Sequence, residues 1–215
     1  MSKWYIYLPQ YKEKIEPDHI TMDFRVNAVS SANITFSEHL ILSTWSWLKD
    51  HFSIGDPIQV KYGKQIVFNG YVNQVSWSKT QTSYRLQVNA LDPLGKLVNM
   101  PFRGGFTGRL KDLLNNEICK PININNRILS DLIVNLRYDQ EVSRFALLTD
   151  ACTYARVFTD LTRFGFYYNH QLNALCELND KSLRKIVQST SHTNRLSINL
   201  TESYIVANVI QVTNY

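Results

Sequence analysis

The stretch Phe52-Ser-Ile-Gly-Asp-Pro-Ile-Gln-Val-Lys-Tyr-Gly63 decides the fold, together with Lys64-Gln-Ile-Val-Phe-Asn-Gly-Tyr-Val72 and, after a polar gap, Tyr84-Arg-Leu-Gln-Val-Asn-Ala-Leu-Asp-Pro-Leu94. Ile58, Val60 and Tyr62 alternate with Gln59 and Lys61, the period-two pattern of a strand with one buried face. Gly63-Lys64 predicts a tight turn, and Ile66 and Phe68 resume the alternation in a second strand. The third strand is the clearest: Tyr84, Leu86, Val88 and Ala90 face one way, and Arg85, Gln87 and Asn89 the other. Asp92-Pro93 ends it, because proline cannot donate to a ladder and disfavours helix in the residue before it. The three strands form an antiparallel meander that the rest of the chain completes.

Before the meander, Trp4 to Leu8 reads as a short aromatic strand closed by Pro9. Residues 20–36 read as a hairpin: Ile20, Met22, Phe24 and Val26 alternate with polar residues, Ser30 to Asn33 turns, and Ile34 and Phe36 return. Residues 38–51 form a poorly patterned link that carries Trp45 and Trp47. The pattern changes after Met100-Pro101. Gly104, Gly105 and Gly108 read as a flexible corner, with no Gly-Lys-Ser/Thr to make a phosphate loop. Thr107 is a candidate cap for a short helix with Leu110, Leu113, Leu114 and Ile118 at helical spacing, stopped by Cys119-Lys120-Pro121. Residues 122–126 read as an extended connector, and 128–138 as either strand or helix. A longer helix follows on the stripe Val142, Phe145, Leu148, Cys152, Ala155 and Phe158, with Asp139 or Ser143 as cap and Gly165 beyond its end. Phe166-Tyr167-Tyr168 then enters a hairpin that turns near Asn169 to Asn173 and returns through Ala174 to Leu178. Residues 180–195 read as a loop. Leu196, Ile198 and Leu200 alternate, and Ile205 to Val212 is a final β run.

Composition narrows the function. Of 215 residues, 44% are hydrophobic and 19% charged, the balance of a folded globular protein. The twelve tyrosines favour β structure and interfaces. A formal charge of +5, with scattered basic residues, is too mild to claim sequence-specific nucleic-acid binding. Cys119, Cys152 and Cys176 are odd in number and widely separated, which argues against a disulfide framework and a zinc site. The N-terminal residues lack the apolar core of a signal peptide, and no run approaches the ~18 apolar residues of a membrane span, so no membrane insertion is expected.

No catalytic, cofactor or metal residue is nameable. His19, His39, His51, His170 and His192 sit in polar, loop-like surroundings without a ligand partner at i+2 or i+4. Asp139, Glu141, Asp150 and Asp160 lie on or near the long helix, where solvated carboxylates are the default. No Gly-x-Ser-x-Gly or Cys/His signature is present. The chain reads as a non-enzyme without cofactors. Trp45, Trp47 and Trp77 are candidates for sugar stacking, although tryptophans anchor cores and interfaces more often.

Several short motifs resemble phage tail and baseplate hub proteins, the family found in contractile phages and related injection machines. Gly55-Asp56-Pro57-Ile58, the return Phe68-Asn69-Gly70-Tyr71-Val72, and the strand exit Asp92-Pro93-Leu94 match the first barrel of that family. Gly165 in Phe164-Gly-Phe-Tyr-Tyr168 after a helix resembles its second segment. Asn208-Val-Ile-Gln-Val212 is similar to the strand that returns to its barrel. The resemblance covers most of residues 52–212. It implies a mainly β fold with an α+β insertion: a tail-tube-like antiparallel β-barrel or split sandwich from residues 1–100 and 196–215, and a smaller helix-and-hairpin lobe from 101–195.

The resemblance also implies a structural role in a virion tail baseplate, assembled in the host cytoplasm. Copies of the chain would form a homo-oligomeric ring, a trimer. The ring would join the tail tube or a distal tail protein to a central spike or tip, admit a tape-measure protein as a further partner, and let DNA or an effector pass. The alternatives are a distal tail protein, a tube subunit, a tail-tip carbohydrate-binding module and a cell-wall hydrolase.

Overall fold

The computed structural model describes residues 3–38, 50–79, 83–159, 165–178, 197–201 and 209–213. The expected features at Trp45, Trp47, His39, His192, Asp160, Asn208 and the loop 180–195 lie outside them. The chain is mainly β. Strands β1 (Trp4–Leu8), β2 (Glu13–Ile15), β3 (His19–Arg25), β4 (Ser31–Glu38), β5 (Pro57–Tyr62), β6 (Gln65–Lys79) and β7 (Tyr84–Leu91) precede a 3-10 helix, Pro93–Asn99. Then come β8 (Pro101–Arg109), helix α1 (Leu110–Leu113) continuing as a π-helical turn, Leu114–Cys119, a 3-10 turn, Lys120–Ile122, and β9 (Asn125–Asn126). The last elements are β10 (Ile133–Ser143), helix α2 (Arg144–Thr159), β11 (Gly165–Asn169), β12 (Ala174–Leu178), β13 (Ser197–Thr201) and β14 (Val209–Thr213).

Nine strands form one sheet in the order β13-β14-β3-β4-β7-β6-β5-β1-β2, and every neighbouring pair is antiparallel. The meander holds as β5-β6-β7, and Tyr84, Leu86, Val88 and Ala90 are all buried. Their face forms a core with Ile6 of β1, Ile20 of β3, Ile34 of β4, Ile58 of β5 and Phe68 of β6. Strands β3 and β6 are separated by β4 and β7, so a flat sheet would hold them about 14 Å apart. The rings of Phe24 and Phe68 nevertheless lie with centroids 6.5 Å apart. The sheet therefore curls around its own core. Two bulges on β6 promote the curl: Val67 is the extra residue against β5 and Asn73 the extra residue against β7.

A second core lies on residues after the meander. Leu94 and Leu97 of the 3-10 helix pack with Leu110, Leu113, Leu114 and Ile118, the four positions read as helical, and with Leu147 and Leu148 of α2. Phe166, Tyr168 and Leu175 of the β11–β12 hairpin close it. Strands β8 and β10 pair as a separate antiparallel ribbon, with Phe102, Phe106, Leu136 and Tyr138 against this core.

Several local readings change. The first hairpin turns at residues 26–30, not 30–33: Asn27 takes φ 57°, which asparagine tolerates, and Ser31 to Asn33 already pair with Asp23 to Thr21. The polar gap after Val72 is strand as far as Lys79, because β7 supplies a pairing partner for each of its residues from Gln74 to Lys79. The glycine corner is the extended strand β8. A Cβ on Gly105 would sit 3.1 Å from the Leu136 carbonyl, so glycine permits close strand approach rather than a turn. Thr107 caps no helix, since its hydroxyl donates to Asn135 Oδ1 (3.0 Å) and Arg109 occupies the cap position without a side-chain bond. Residues 133–138 are strand, and Val142 and Asp139 belong to β10 rather than to the helix. Ser143 is the cap, accepting the Ala146 N–H at 3.1 Å.

Gly70 gives the sharpest test of the curled sheet. A Cβ there would lie 2.2 Å from the Leu91 carbonyl oxygen and 2.8 Å from the Phe68 ring. Backbone cannot yield as a flexible side chain does. Gly70→Ala is expected to lower stability by about 3 kcal/mol, seen as a reduced urea midpoint. A midpoint within error of wild type would show that β6 and β7 do not approach this closely.

Candidate functional site

Most of the described residues singled out by motif fall into two tight structural corners. In the first, Gly55 takes φ +93° and donates its N–H to the Val72 carbonyl (2.7 Å), and Val72 returns its N–H to the Asp56 carbonyl (2.9 Å). The Asp56 carboxylate accepts the Ser53 N–H (3.2 Å), and Pro57 starts β5 opposite Tyr71. This lock fixes the entry to β5 against the middle of β6. Phe68 and Gly70 lie just beyond it on β6.

The second corner is built on Asp92, which is fully buried. Its Oδ2 accepts the Ser30 N–H at 2.8 Å and its Oδ1 accepts the Leu94 N–H at 3.0 Å, capping the 3-10 helix. The Asp92 backbone N–H donates to the Ser30 carbonyl at 3.0 Å, so the exit of β7 is tied to the entry of β4. Burial pushes the carboxyl up to about 7, against the pull of the Ser30, Leu94 and Gly95 donors that favour its charge. Leu94, two residues on, is fully buried in the second core.

A third feature, not singled out in the sequence, joins the hairpin to the curled sheet. His170 lies in the hairpin turn, yet it is buried among aromatic rings rather than in polar surroundings. Its ring stacks on Phe68 with centroids 4.7 Å apart and meets the Phe24 and Tyr168 rings at 5.1 and 4.8 Å. Nδ1 faces both the N–H (3.0 Å) and the carbonyl (3.2 Å) of Asn69, while Nε2 is buried without a hydrogen-bond partner among the described residues. Asn69 also donates from its side chain to the Tyr168 hydroxyl (2.8 Å), which donates to Asn173 (2.6 Å). Asn27 closes the other side of the hairpin: its N–H reaches the Phe166 carbonyl and its Oδ1 accepts the Phe166 N–H, both at 2.8 Å. Gly165, from the motif, starts this strand opposite Leu178. The one sequence signal for His170 is its place in the alternation Phe166, Tyr168, His170. Apart from Tyr168, its partners come from β3 and β6, about 100 residues or more away.

Chemistry-bearing groups elsewhere are dispersed. Among the described residues no three His, Cys, Asp or Glu side chains are grouped to hold a metal ion. Cys119, Cys152 and Cys176 are free and buried, and burial pushes the Cys119 thiol up to about 12, the opposite of what a nucleophile needs. Asp150 accepts the Tyr138 hydroxyl (2.8 Å), while Asp139 and Glu141 are exposed on β10. Trp77 is 55% exposed on β6. An open groove of about 450 Å³ lies beside the Asp92 corner, lined by Arg25, Tyr71, Asn73, Asn89 and Asn99 among others. No helix among the described residues is long and apolar enough to cross a membrane.

No family model and no curated protein matches the sequence. Solved structures do match. The 43 kDa tail protein of prophage MuSo2 from Shewanella oneidensis is similar with a TM-score of 0.63 at 14% identity, over 81% of this chain and 54% of that one. The tail protein from Neisseria meningitidis MC58 is similar at 0.56 and 11% identity, over 95% of this chain and 61% of that one. A chain of the half-lidded Francisella PdpA–VgrG complex matches at 0.50 and 9% identity, over 94% of this chain and 35% of that one. The chain thus spans less than two thirds of the length of each of these proteins. The fold is that of phage tail proteins.

The His170 seat predicts a pH dependence. Burial lowers the imidazole from its ordinary 6.5 to about 4. Between those values the unfolded chain binds the proton and the folded chain does not, so stability falls as pH drops from 6.5 toward 4, by about 3 kcal/mol in total. Asp92 acts in the opposite sense: its raised carboxyl holds a proton up to about 7, so its contribution grows as pH falls through the same window. The difference between wild type and His170→Gln isolates the histidine. Urea melts at pH 7 and pH 4.5 should show the wild type losing more stability on acidification than the variant. Equal losses would mean that His170 does not titrate from a buried neutral state.

Proposed function

We propose that this protein is a structural hub of a phage or phage-like injection machine, forming a ring that connects the tail tube to the central spike or tip. The observation that supports the reading most directly is the likeness of fold to the MuSo2 tail protein over 81% of this chain. The sequence motifs are consistent with it, since Gly55, Asp56, Gly70 and Asp92 serve the geometry of the sheet rather than chemistry. In this reading the barrel comprises residues 1–100 and 196–215, and residues 101–195 are a lobe inserted into it. Strands β13 and β14 favour that division, because β14 pairs with β3 in the large sheet.

Rings suit such a sheet. Its outer strands β2 and β13 leave backbone donors and acceptors without a further strand among the described residues, and closure between copies removes edges that would otherwise pair at random. The ring is a trimer, with the tail tube or a distal tail protein above, the spike or tip below, and DNA or an effector passing through. The protein acts in the virion tail after assembly in the host cytoplasm. Its role in this reading is structural rather than enzymatic, as the similar solved structures are tail proteins.

Native mass spectrometry of the purified protein, alone and with a candidate spike protein, tests the assignment. A trimer, or a monomer that becomes a three-to-three complex with the spike, is the expected result. A protein that stays monomeric with the spike present and instead binds glycans would replace the hub with a tail-tip recognition module, and clearing on a peptidoglycan gel would replace it with a hydrolase.

A further inference from the structure

The outer face of the β2-β1-β5 end of the large sheet carries an unusual set of side chains. Ile6 and Leu8 of β1 point into the core, so Tyr5 and Tyr7 point outward. Tyr5 pairs with Lys61 of β5, and Tyr7 pairs with Lys14 of β2 on its other side. The lysines lie diagonally on the rings: Lys61 Nζ is 4.1 Å from the Tyr7 centroid and Lys14 Nζ is 5.1 Å from that of Tyr5. The Tyr5 hydroxyl donates to the Gly63 carbonyl at 2.7 Å, which holds its ring in place. The result is a fixed platform of two cations on two aromatic rings.

Nearby carboxylates are engaged elsewhere. Glu16 binds Lys3 (3.2 Å), Asp56 accepts the Ser53 N–H, and Glu13 lies opposite Leu8, on the core side of the sheet. Partial burial, then the repulsion of Lys14, holds the Lys61 ammonium below its ordinary value. An arriving pair of anions would relieve both lysines. Because each ring already carries a lysine, the platform offers charge rather than open stacking faces, which favours carboxylates over nucleic-acid bases.

The chain itself carries the complement on a different surface. The β8–β10 ladder breaks between Tyr138 and Val142, so Asp139, Gln140 and Glu141 have no strand partner. Asp139 and Glu141 are both exposed, and the Asp139 side chain is 95% so, with only a loose contact to Arg137 at 3.9 Å. Two residues apart in an extended segment, they present two carboxylates about 7 Å apart along the backbone.

We propose that the acidic bulge Asp139–Glu141 of one copy docks on the Lys14–Lys61 tyrosine platform of the next copy, and that this head-to-tail contact is an interface of the ring. The proposal rests on the ring reading and adds to it the surfaces that meet. Two different patches in contact make a heterologous interface, which closes into a ring when the rotation between copies permits. Charge pairing would set the register of neighbours more than it sets total affinity.

Charge exchange tests it. Sedimentation of wild type, Lys14→Glu/Lys61→Glu, Asp139→Lys/Glu141→Lys and the four-fold variant should give one associating species, two weakened ones and one restored. Each one-sided reversal is expected to weaken self-association about tenfold or more, while unchanged thermal melts report that the variants fold. Raised salt should weaken wild type in the same direction. If one-sided reversals associate like wild type, or the four-fold variant fails to recover, the ring forms through other surfaces and only this interface is wrong. A wild type that stays monomeric at every concentration, with or without the spike, removes the ring as well. DNA binding by wild type that the lysine variant loses, without any change in mass, would assign the platform to nucleic acid instead.

Discussion

A buried carboxylate governs how the two halves of this molecule meet. Asp92 sits where β7 leaves the curled sheet and the chain turns into its second core. Its two oxygens satisfy the Ser30 and Leu94 N–H groups, and its own N–H reaches the Ser30 carbonyl. An unpaired carboxyl so deep would be costly; one that satisfies several backbone donors fixes their positions. Because Ser30 opens β4 and Leu94 enters the second core, the same side chain sets the register of the sheet and the direction of everything after it.

The remaining architecture follows from how β6 lies between that corner and the lobe. Its two bulges bend it. Gly70 lets it approach Leu91 within a distance that no side chain would allow, and Asn69 presents its backbone to His170. Phe68, from the same segment, carries the stacked imidazole on its ring. A single extended strand thus contributes to the first core, to the close contact with β7 and to the seat of the hairpin. This concentration explains why the motif residues on it serve geometry.

Strand identity was legible wherever one face is buried and the other wet, because side chains alternate with period two. Tyr84, Leu86, Val88 and Ala90 show this, as do Ile58 and Val60, and Ile20 and Met22. The short helix was legible from Leu110, Leu113, Leu114 and Ile118. The errors share one cause: a local signal took its meaning from a distant partner. Glycines 104, 105 and 108 read as a corner because nothing nearby shows that β10 packs against them. Thr107 looked like a cap until Asn135 supplied a bond across the ribbon. His170 read as a polar-loop histidine because two of its three aromatic neighbours, Phe24 and Phe68, come from β3 and β6.

By itself the sequence determined that the chain is mainly β with a small helical part, where most of its strands run, and that it carries no recognisable catalytic signature, since these depend on short-range periodicity and spacing. The tertiary structure alone decided that the sheet curls far enough to bring Phe24 to Phe68, that Asp92 and His170 are buried, and which lysines and tyrosines share a face. Those outcomes depend on strand order, and strand order depends on which distant segments bury each other's apolar faces. A pattern of period two marks a strand, but it does not name the strand's neighbours.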